Sequence, residues 1–474
     1  MLDPKDFKHN ASAVIEWIDN YFSELESLPV KSQVKPKDIY NQIPPQAPAE
    51  PERFEQIMAD VNKIITPGIT HWQHPNFHAY FPANSSIESL FAEMMTSAIG
   101  AQCMIWETSP AAAELEERMM EWLREAMGIP KTFEGVIQDT ASTATLVAIL
   151  TAREVKTNFD SNENGVPNNL RIYCSTQTHS SIEKGVKISG IGRKNLVKIP
   201  VDDQMRISPE LLEKQIIEDL AQGLVPCCVV AAIGSTGTVA VDPVKPLAAI
   251  CKKYDVWLHL DAAYAGTALL LPEYQWMIEG MEDADSFVFN PHKWMFTNFD
   301  CTVYFVKDVE VLIKTFEELP EYLKTKTRGQ VNDYRDWGIP LGRRFRALKL
   351  WFVMRSFGVK GLQETLRKHI ELNTYFASTI EQSGDFEIML EPFLNYTCFR
   401  YNPQHVTGET ELNQLNELLI EKINQSGEAF LSHFKIADHF VIRFVVGQTY
   451  VEKRHVDKVT ELMKKIVVGL EVEH

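Results

Sequence analysis

The sequence lacks the long apolar runs of membrane proteins and the cysteine frameworks of small secreted proteins. Its 474 residues contain no run of about 18 apolar residues, the length that a membrane-spanning helix needs. The N-terminal residues Met1-Leu-Asp-Pro-Lys-Asp6 are too polar for a secretory signal peptide. The seven cysteines form no Cys-x-x-Cys pair, which favours reduced thiols. We therefore expect a cytoplasmic protein with no membrane partner.

Positive charge is also scarce. The 47 lysine and arginine residues face 64 aspartate and glutamate residues, which gives a net charge of −17. Such a surface repels nucleic acids, so we expect no nucleic-acid partner. The glycine-rich motifs Gly-x-x-x-x-Gly-Lys-Ser/Thr and Gly-x-Gly-x-x-Gly are absent as well. Their absence disfavours a nucleotide-binding α/β protein without catalysis.

Apolar strands alternate with helical segments from about residue 86. Short buried strands are predicted at residues 171–175, 196–200, 227–233, 256–260 and 287–289. Helices are predicted at residues 86–100, 110–127, 142–155, 208–221 and 243–253. This alternation is typical of the α/β class, with a mostly parallel sheet covered by helices on both faces.

Three regions are predicted along the chain. Residues 1–85 contain two amphipathic helices and a proline-rich strap between residues 29 and 51, with too little apolar surface for an independent core. We expect this segment to wrap around another body, either the large domain or a second subunit. Residues 86–365 are predicted to form the large α/β domain, and residues 366–474 a small α+β domain. A long helix from Arg343 to about Gln382 crosses that boundary.

An aromatic segment from Gly68 to Asn84 contains three histidines, His71, His74 and His78. Their spacing matches no common zinc signature, and no cysteine or acidic residue completes a ligand set. We therefore expect no metal, and predict that this segment packs in the core or lines a pocket.

Lys293 lies in the stretch Ser286-Phe-Val-Phe-Asn-Pro-His-Lys-Trp294, just beyond a predicted strand. Pro291 disfavours a helical conformation at Asn290, so the chain should leave the strand in an extended turn. A lysine in apolar surroundings loses part of its preference for the charged form, as a Schiff-base lysine requires. From this stretch alone, a solvent-exposed surface lysine is equally compatible.

Polar residues also follow three other predicted strands, and one lies at a predicted helix start. Asp261 follows the strand 256–260 and is either a turn residue or the partner of a protonated ring nitrogen. His179 follows the strand 171–175 and is a core histidine, a stacking surface for an aromatic ligand, or a base. Thr236 follows the strand 227–233, at a corresponding position of the sheet. Ser142 opens a helix whose unpaired N–H groups form either an ordinary N-cap or an anion site.

One ligand would use all of these groups. An aldehyde on an aromatic pyridine ring can form an imine with lysine, pair its ring nitrogen with aspartate, stack on histidine and place a phosphate at a helix start. That ligand is pyridoxal 5'-phosphate (PLP). The carboxyl ends of parallel strands meet at one edge of a sheet, so these residues are predicted to form one site.

With these motifs the chain resembles the group II PLP-dependent decarboxylases, most closely the aromatic-L-amino-acid decarboxylases. The resemblance covers roughly residues 70–360. It rests on the following stretches: His74-Pro75, Ala79-Tyr-Phe-Pro82, Trp106, Ser109-Pro-Ala111, Ala141-Ser142, Ala144-Thr-Leu-Val-Ala148, Thr178-His-Ser-Ser181, Trp257-Leu-His-Leu-Asp-Ala-Ala-Tyr-Ala-Gly266, Phe289-Asn-Pro-His-Lys-Trp294, Asn298-Phe-Asp-Cys301 and Ile339-Pro-Leu-Gly-Arg-Arg-Phe345.

The resemblance implies a fold-type I enzyme with a mostly parallel seven-stranded sheet, and a homodimer with sites near the interface. It implies that Lys293 holds the cofactor as an internal aldimine, and that Asp261 pairs with the ring nitrogen. His179 and Ala263 would contact opposite faces of the ring, and Thr236 would orient His179. The residues implied to hold the phosphate are Ala141, Ser142, Asn290 and His292.

The implied reaction is decarboxylation of an L-amino acid to an amine, through an external aldimine and a quinonoid intermediate. Tyr322 matches the family tyrosine that is expected to protonate the substrate carbon after carbon dioxide leaves. Aldehyde-forming relatives have phenylalanine at that position, so Tyr322 favours decarboxylation over an aldehyde synthase. An aminotransferase would share the lysine and the aspartate, and is a further rival.

The substrate is expected to be an aromatic amino acid, of the tryptophan, tyrosine, phenylalanine or Dopa type. Aromatic and apolar side chains are abundant in the predicted pocket segments, and no arginine there would pair with a second carboxylate. A glutamate or cysteine sulfinate decarboxylase is the alternative. Gly342 would leave space for a bulky ring such as indole. The predicted pocket residues are Trp72, Tyr80, Phe81, Ala83, Ile105 and Gly342.

Two residues depart from the family pattern. Asp139 places a carboxylate beside the expected phosphate site, where a like charge weakens phosphate binding unless the side chain turns away. Ala83 stands where several animal relatives have threonine, so one polar contact is missing.

Overall fold

The computed structural model describes residues 3–318 and 330–473, with side chains described up to residue 470. The chain folds into two compact units. The first unit comprises Met1–Pro82 and His369–His474, and the second unit comprises Ala83–Lys368. The N-terminal segment and the small C-terminal domain therefore fall into the same unit. The division into three domains stays a prediction.

The second unit is built on a seven-stranded sheet, as the resemblance implied. Its strands are β1 (Glu134–Gln138), β2 (Leu170–Ser175), β3 (Leu196–Ile199), β4 (Val225–Ala232), β5 (Trp257–Asp261), β6 (Ser286–Phe289) and β7 (Thr302–Val306). Their order in the sheet is β1-β7-β6-β5-β4-β2-β3. Strands β2 to β6 pair in parallel, while β7 runs antiparallel to both β6 and β1.

Helices cover this sheet and bury its apolar strands. The helices of the second unit are Ile87–Ile99, Pro110–Ala126, Ala141–Lys156, Asp160–Asn164, Ser180–Ile188, Pro209–Ala221, Val244–Tyr254, Pro291–Trp294 and Val309–Phe316. The helix 141–156 packs on β4, β5, β6 and β7, and contributes small apolar side chains to the core. Apolar strands such as β4 are buried on both faces, which explains why they lack polar alternation.

The first unit combines the N-terminal helices with a four-stranded antiparallel sheet. Its helices are Phe7–Glu24, Phe54–Asp60, Glu409–Ser426 and Lys453–Glu473, and its strands are β8 (Phe386–Ile388), β9 (Tyr396–Tyr401), β10 (Ser432–Ile436) and β11 (His439–Val445). The strand order is β10-β11-β9-β8. The N-terminal segment joins this body through backbone hydrogen bonds, including Val30 N–H to the Gly427 carbonyl oxygen at 2.8 Å.

The long predicted helix is present as Arg346–Glu381. Gly358 interrupts it with a φ of 64°, a left-handed conformation that glycine adopts without steric cost. The predicted helical stretch therefore consists of two helical segments that meet at this residue. A helical periodicity of apolar residues continues through such a break, so the pattern alone did not reveal it.

Candidate active site

The turn that carries Lys293 begins where β6 ends. Asn290 caps the four-residue helix Pro291–Trp294, and its carbonyl oxygen accepts a hydrogen bond from the Lys293 N–H at 3.0 Å. The Trp294 side chain is fully buried and its ring stacks on Tyr264 with centroids 5.4 Å apart. Lys293 is half-buried, next to this buried tryptophan in the same turn.

The side chains flanking Lys293 are held by β7 and the residues before it. The Asn290 Oδ1 accepts a hydrogen bond from the Thr302 hydroxyl at 2.7 Å. The His292 Nδ1 accepts one from the Cys301 N–H at 3.0 Å. Burial, with a further contribution from the Lys293 charge, lowers the pKa of His292 to about 3. His292 is therefore neutral, and with Nδ1 as acceptor its Nε2 carries the proton.

Asp261 is the last residue of β5 and lies opposite Val288 of β6. Its side chain is buried, and Oδ1 accepts a hydrogen bond from the Ala263 N–H at 3.1 Å. Burial raises the pKa of the Asp261 carboxyl, while the Ala263 N–H and the charges of Lys293 and His179 oppose that rise. A buried carboxylate of this kind is stabilised by a proton donor such as a pyridinium N–H.

His179 precedes the helix Ser180–Ile188 and caps it. Its Nδ1 accepts a hydrogen bond from the Ser181 N–H at 3.1 Å and lies 2.8 Å from the Ser181 hydroxyl. His179 is exposed, yet nearby protein excludes enough water to lower the pKa of its ring. The Asp261 carboxylate opposes this shift and the Lys293 ammonium adds to it.

The structure therefore brings His179, Asp261 and Lys293 together at one edge of the sheet, which we call the lysine edge. Thr236 lies in the turn after β4, between Gly234 and Val239, whose φ angles are both positive. The hydrogen bonds that fix His179 in this structure come from Ser181. Orientation of His179 by Thr236 stays a prediction, and Ser181 is a residue that sequence reasoning did not assign.

The predicted phosphate site is the start of the helix Ala141–Lys156, directly after β1. The Thr140 hydroxyl accepts a hydrogen bond from the Thr143 N–H at 3.4 Å and caps the helix. Ser142, in the first turn, is exposed. The Asp139 carboxylate turns back and accepts a hydrogen bond from the Thr140 N–H at 2.6 Å.

Arg346 offsets part of the negative charge of Asp139. Its guanidinium forms two hydrogen bonds with Asp300, at 3.0 and 3.1 Å, and lies near enough to Asp139 for that carboxylate to raise its pKa. Asp139 is therefore held by a local hydrogen bond and lies near a cation that is already paired with Asp300, and its effect on phosphate binding stays a prediction. These groups fit PLP: an exposed helix start for the phosphate, a buried carboxylate for the ring nitrogen and a lysine for the aldehyde.

Three of the predicted pocket residues lie in the first unit. The Trp72 ring stacks on Tyr80 with centroids 5.8 Å apart, and lies 4.5 Å from the Phe77 ring. Tyr80 has a φ of 54°, a strained value for a non-glycine residue, and its N–H donates to the Ser432 hydroxyl at 2.9 Å. We call Trp72, Phe77, Tyr80 and Phe81 the aromatic cluster.

Arg443 was missed by sequence reasoning. Its guanidinium lies 4.9 Å from the Phe81 ring centroid and 5.4 Å from that of Tyr396. The side chain is buried, and its Nε and Nη2 have no hydrogen-bond partner among the described residues. A cation beside an aromatic residue of the predicted pocket offers a site for a carboxylate. Its position 362 residues beyond Phe81 (443 − 81) left no local signal in the sequence.

The other predicted pocket residues lie in the second unit. Ala83 is partly exposed, Ile105 is buried and Gly342 is exposed. A Cβ atom at Gly342 would lie 3.2 Å from the Gln102 Nε2, so Gln102 faces this glycine directly. Tyr322 lies outside the described residues. The pocket roles of all these residues stay predictions.

The three histidines of the aromatic segment make protein hydrogen bonds. The Nδ1 atoms of His71, His74 and His78 pair with the Tyr21 hydroxyl, the Asn76 N–H and the Val445 carbonyl oxygen, at 2.9, 2.9 and 2.8 Å. Over residues 3–318 and 330–473, no three histidine, cysteine or acidic residues are arranged to hold a metal ion. Over the same ranges, no helix is long and apolar enough to cross a membrane.

Comparison with known proteins identifies the family. Residues 36–402 match the model of the pyridoxal-dependent decarboxylase conserved domain. The chain belongs to this family. A tyrosine decarboxylase of Papaver somniferum is 40% identical over 96% of this chain and 93% of its own length. A phenylacetaldehyde synthase of Petunia hybrida is also 40% identical, over 96% and 93%.

The solved structures agree with this assignment. The Catharanthus roseus tryptophan decarboxylase in complex with L-tryptophan has a TM-score of 0.93 and 35% identity, over 99% of each chain. The pyridoxal-dependent decarboxylase described here is therefore a fold-type I carboxy-lyase, and its cofactor is PLP. The sequence-based predictions of family, fold class and cofactor are confirmed.

Proposed function

We propose that this decarboxylase converts an aromatic L-amino acid to the corresponding amine and carbon dioxide. The observation that carries the proposal is the lysine edge, where the Lys293 charge lies close enough to shift the pKa values of both Asp261 and His179. The aromatic class is supported by the aromatic cluster, and by curated relatives named as tyrosine and tryptophan decarboxylases.

The residues of the lysine edge would divide the work as follows. Bound PLP supplies an electron sink for the bond between the substrate Cα and its carboxylate. Lys293 holds the cofactor and releases it to the substrate amine. Asp261 would keep a proton on the pyridine nitrogen, because a buried carboxylate is stabilised by a proton donor. His179, neutral because its pKa is lowered, presents a flat ring for stacking.

Several residues would hold the rest of the cofactor. Ala263 would contact the ring face opposite His179. Asn290 and His292 are rigidly positioned by hydrogen bonds to Thr302 and Cys301 and would bind the phosphate. The N–H groups at Ala141 and Ser142, at the start of a helix, would complete that phosphate site.

In the second unit, the predicted pocket residues Ala83, Ile105 and Gly342 are proposed to contact the substrate side chain. Aromatic rings pack favourably on aromatic side chains, whereas a second carboxylate requires a dedicated cation. Arg443 is a cation of this kind and lies beside Phe81. Acidic amino acids are therefore the alternative substrate class and are included in the test.

The test is a carbon-dioxide-release panel on the purified enzyme with PLP. Tryptophan, tyrosine, phenylalanine and Dopa are compared with glutamate and cysteine sulfinate, and Lys293→Ala serves as the inactive control. We expect kcat/KM for at least one aromatic substrate to exceed that for either acidic substrate by about 100-fold or more, a difference of about 2.7 kcal/mol. Preference for an acidic substrate would overturn the aromatic assignment.

An aldehyde synthase is the second candidate, because a phenylacetaldehyde synthase is as similar to this chain as a tyrosine decarboxylase. Tyr322 is proposed to donate a proton to the substrate carbon, and so to favour the amine. We expect wild type to form amine without consuming oxygen, and Tyr322→Phe to lose most amine formation. Unchanged amine formation in Tyr322→Phe would exclude Tyr322 as the proton donor.

We also propose a cytoplasmic homodimer. The seven cysteines are all free and buried, as expected for a reducing compartment. The amphipathic helix Phe7–Glu24 has no buried residue, and Phe7 is 74% exposed. In the second unit, Phe91 and Ile99 of one helix are 52% and 57% exposed. Apolar surface of this kind favours burial against a second copy, and a molar mass near twice 54.1 kDa would test it.

A further inference from the structure

Asn84 contacts the backbone of the lysine turn at two points. Its N–H donates a hydrogen bond to the His292 carbonyl oxygen at 2.9 Å, and its Nδ2 donates one to the Lys293 carbonyl oxygen at 2.8 Å. The side chain is 1% exposed, so water does not compete for these bonds. The bonded residues lie about 200 positions apart in the chain, and nothing in the local sequence marks Asn84 as part of the site.

The turn needs external hydrogen bonds. The last four carbonyl groups of a helix have no partner inside the helix, and the helix Pro291–Trp294 has four residues in all. Its own hydrogen bonds therefore do little to fix the peptide planes on either side of the Lys293 Cα atom. Asn84 donates to the carbonyl group before that Cα atom and to the carbonyl group after it.

The segment that contains Asn84 is itself anchored. Ser86 caps the helix Ile87–Ile99 by accepting a hydrogen bond from the Ser89 N–H at 3.3 Å. The Ser89 hydroxyl accepts another from the Asn298 N–H at 2.8 Å, five residues beyond Lys293. Residues 84–89 thus form hydrogen bonds with the turn itself and with the chain that follows it. Ala83, a predicted pocket residue, directly precedes this segment.

We propose that Asn84 is a positioning residue that fixes the Lys293 backbone while the lysine side chain moves between its cofactor-bound and released states. The lysine must return to the same place in every catalytic cycle, and a displacement of about 1 Å can cost up to roughly 100-fold in rate. The inference rests on the proposed role of Lys293. It adds a residue that contacts neither substrate nor cofactor but sets the position of one that does.

Two variants at this residue separate positioning from packing. Asn84→Ala removes the side-chain donor, and Asn84→Asp keeps the shape but replaces the donating NH2 group with an accepting oxygen. Asn195→Ala is the matched control, since Asn195 is also buried and its Nδ2 donates to the carbonyl oxygens of Asn168 and Ile191 at 3.2 and 2.8 Å. Asn195 precedes β3, at the opposite edge of the same sheet.

The measurements are kcat, KM, the apparent Kd for added PLP from its lysine-bound visible absorbance, and the thermal midpoint. We expect both Asn84 variants to lower kcat about tenfold with KM within about twofold, and to raise the Kd for PLP about tenfold. Asn195→Ala should lower the thermal midpoint and leave kcat and the Kd unchanged. If Asn84→Ala does not fold, the kcat and the Kd for PLP of Asn84→Asp test the inference.

Folded Asn84 variants with wild-type kcat and Kd would overturn the inference, as would equal losses in Asn195→Ala. Failure of the proposed function itself would show in a different measurement. If Lys293→Ala retained the lysine-bound absorbance, the role of Lys293 would be wrong, and both proposals would fail together.

Discussion

Asp261 and His179 of the lysine edge are held in place over much shorter distances along the chain than Tyr80 of the aromatic cluster. At the lysine edge, Asp261 is fixed by the N–H of a residue two positions away, and so is His179. In the aromatic cluster, the Tyr80 N–H is held by Ser432, which is 352 positions away. The difference teaches that short motifs hold Asp261 and His179, whereas Lys293 and the predicted pocket residue Tyr80 are held by contacts between residues far apart in the chain.

The comparison predicts that the largest loss of rate comes from the lysine edge. Asn in place of Asp261 keeps the shape but removes the charge that holds a proton on the ring nitrogen. A hydrogen bond to a charged group is worth about 1.5–3 kcal/mol, so we expect kcat to fall roughly 10- to 150-fold in Asp261→Asn. Steady-state kinetics with the preferred substrate would measure this, and an unchanged kcat would contradict the assignment.

The same variant should stabilise the cofactor-free protein. Burial raises the pKa of Asp261 above its unfolded value, so the folded state binds a proton more tightly than the unfolded state does. The ionised carboxylate therefore costs stability above the folded-state pKa, and the cost vanishes below the unfolded pKa of about 3.9. We expect a higher thermal midpoint for Asp261→Asn than for wild type at pH 7.5, and equal midpoints near pH 3.5. A lower midpoint at pH 7.5 would contradict this account.

The same contrast explains what could be predicted from the sequence. Lys293, Asp261 and His179 follow strands or precede a helix, and parallel topology places such positions at one edge. Strands β1 and β7 were not predicted from the pattern, and both were found only in the structure. Ser181, Asn84 and Arg443 act through hydrogen bonds or ring contacts that depend on the folded chain, and residue type alone did not identify them.

A smaller effect is expected in the aromatic cluster. Trp72→Ala removes a ring that stacks on Tyr80, and with it both apolar area and ring stacking for an aromatic substrate. We expect kcat/KM to fall roughly 30-fold, mainly through KM, which corresponds to about 2 kcal/mol. Trp276→Ala is the control, because Trp276 is 55% exposed and is not among the predicted pocket residues. Equal losses of kcat/KM in the two variants would show that Trp72 does not line the substrate pocket.

The smallest effect is expected at Gly342. A methyl group there would lie 3.2 Å from the Gln102 amide, which must shift slightly, and would narrow the space proposed for an indole ring. A single methyl group in a pocket changes discrimination by roughly 10-fold. We expect Gly342→Ala to lower the ratio of tryptophan to tyrosine turnover by about that factor. Gly361→Ala, where the new Cβ would meet its nearest neighbour at 3.8 Å, should leave the ratio unchanged.

The central claim is that Lys293 carries the cofactor at the lysine edge. Borohydride reduction of the PLP-loaded enzyme, followed by peptide mass mapping, tests it directly because reduction fixes the cofactor to the amine that bound it. The account predicts a pyridoxyl-phosphate group on the peptide that contains Lys293, and its absence from Lys293→Ala. A cofactor group on another lysine, with Lys293 unmodified, would contradict it.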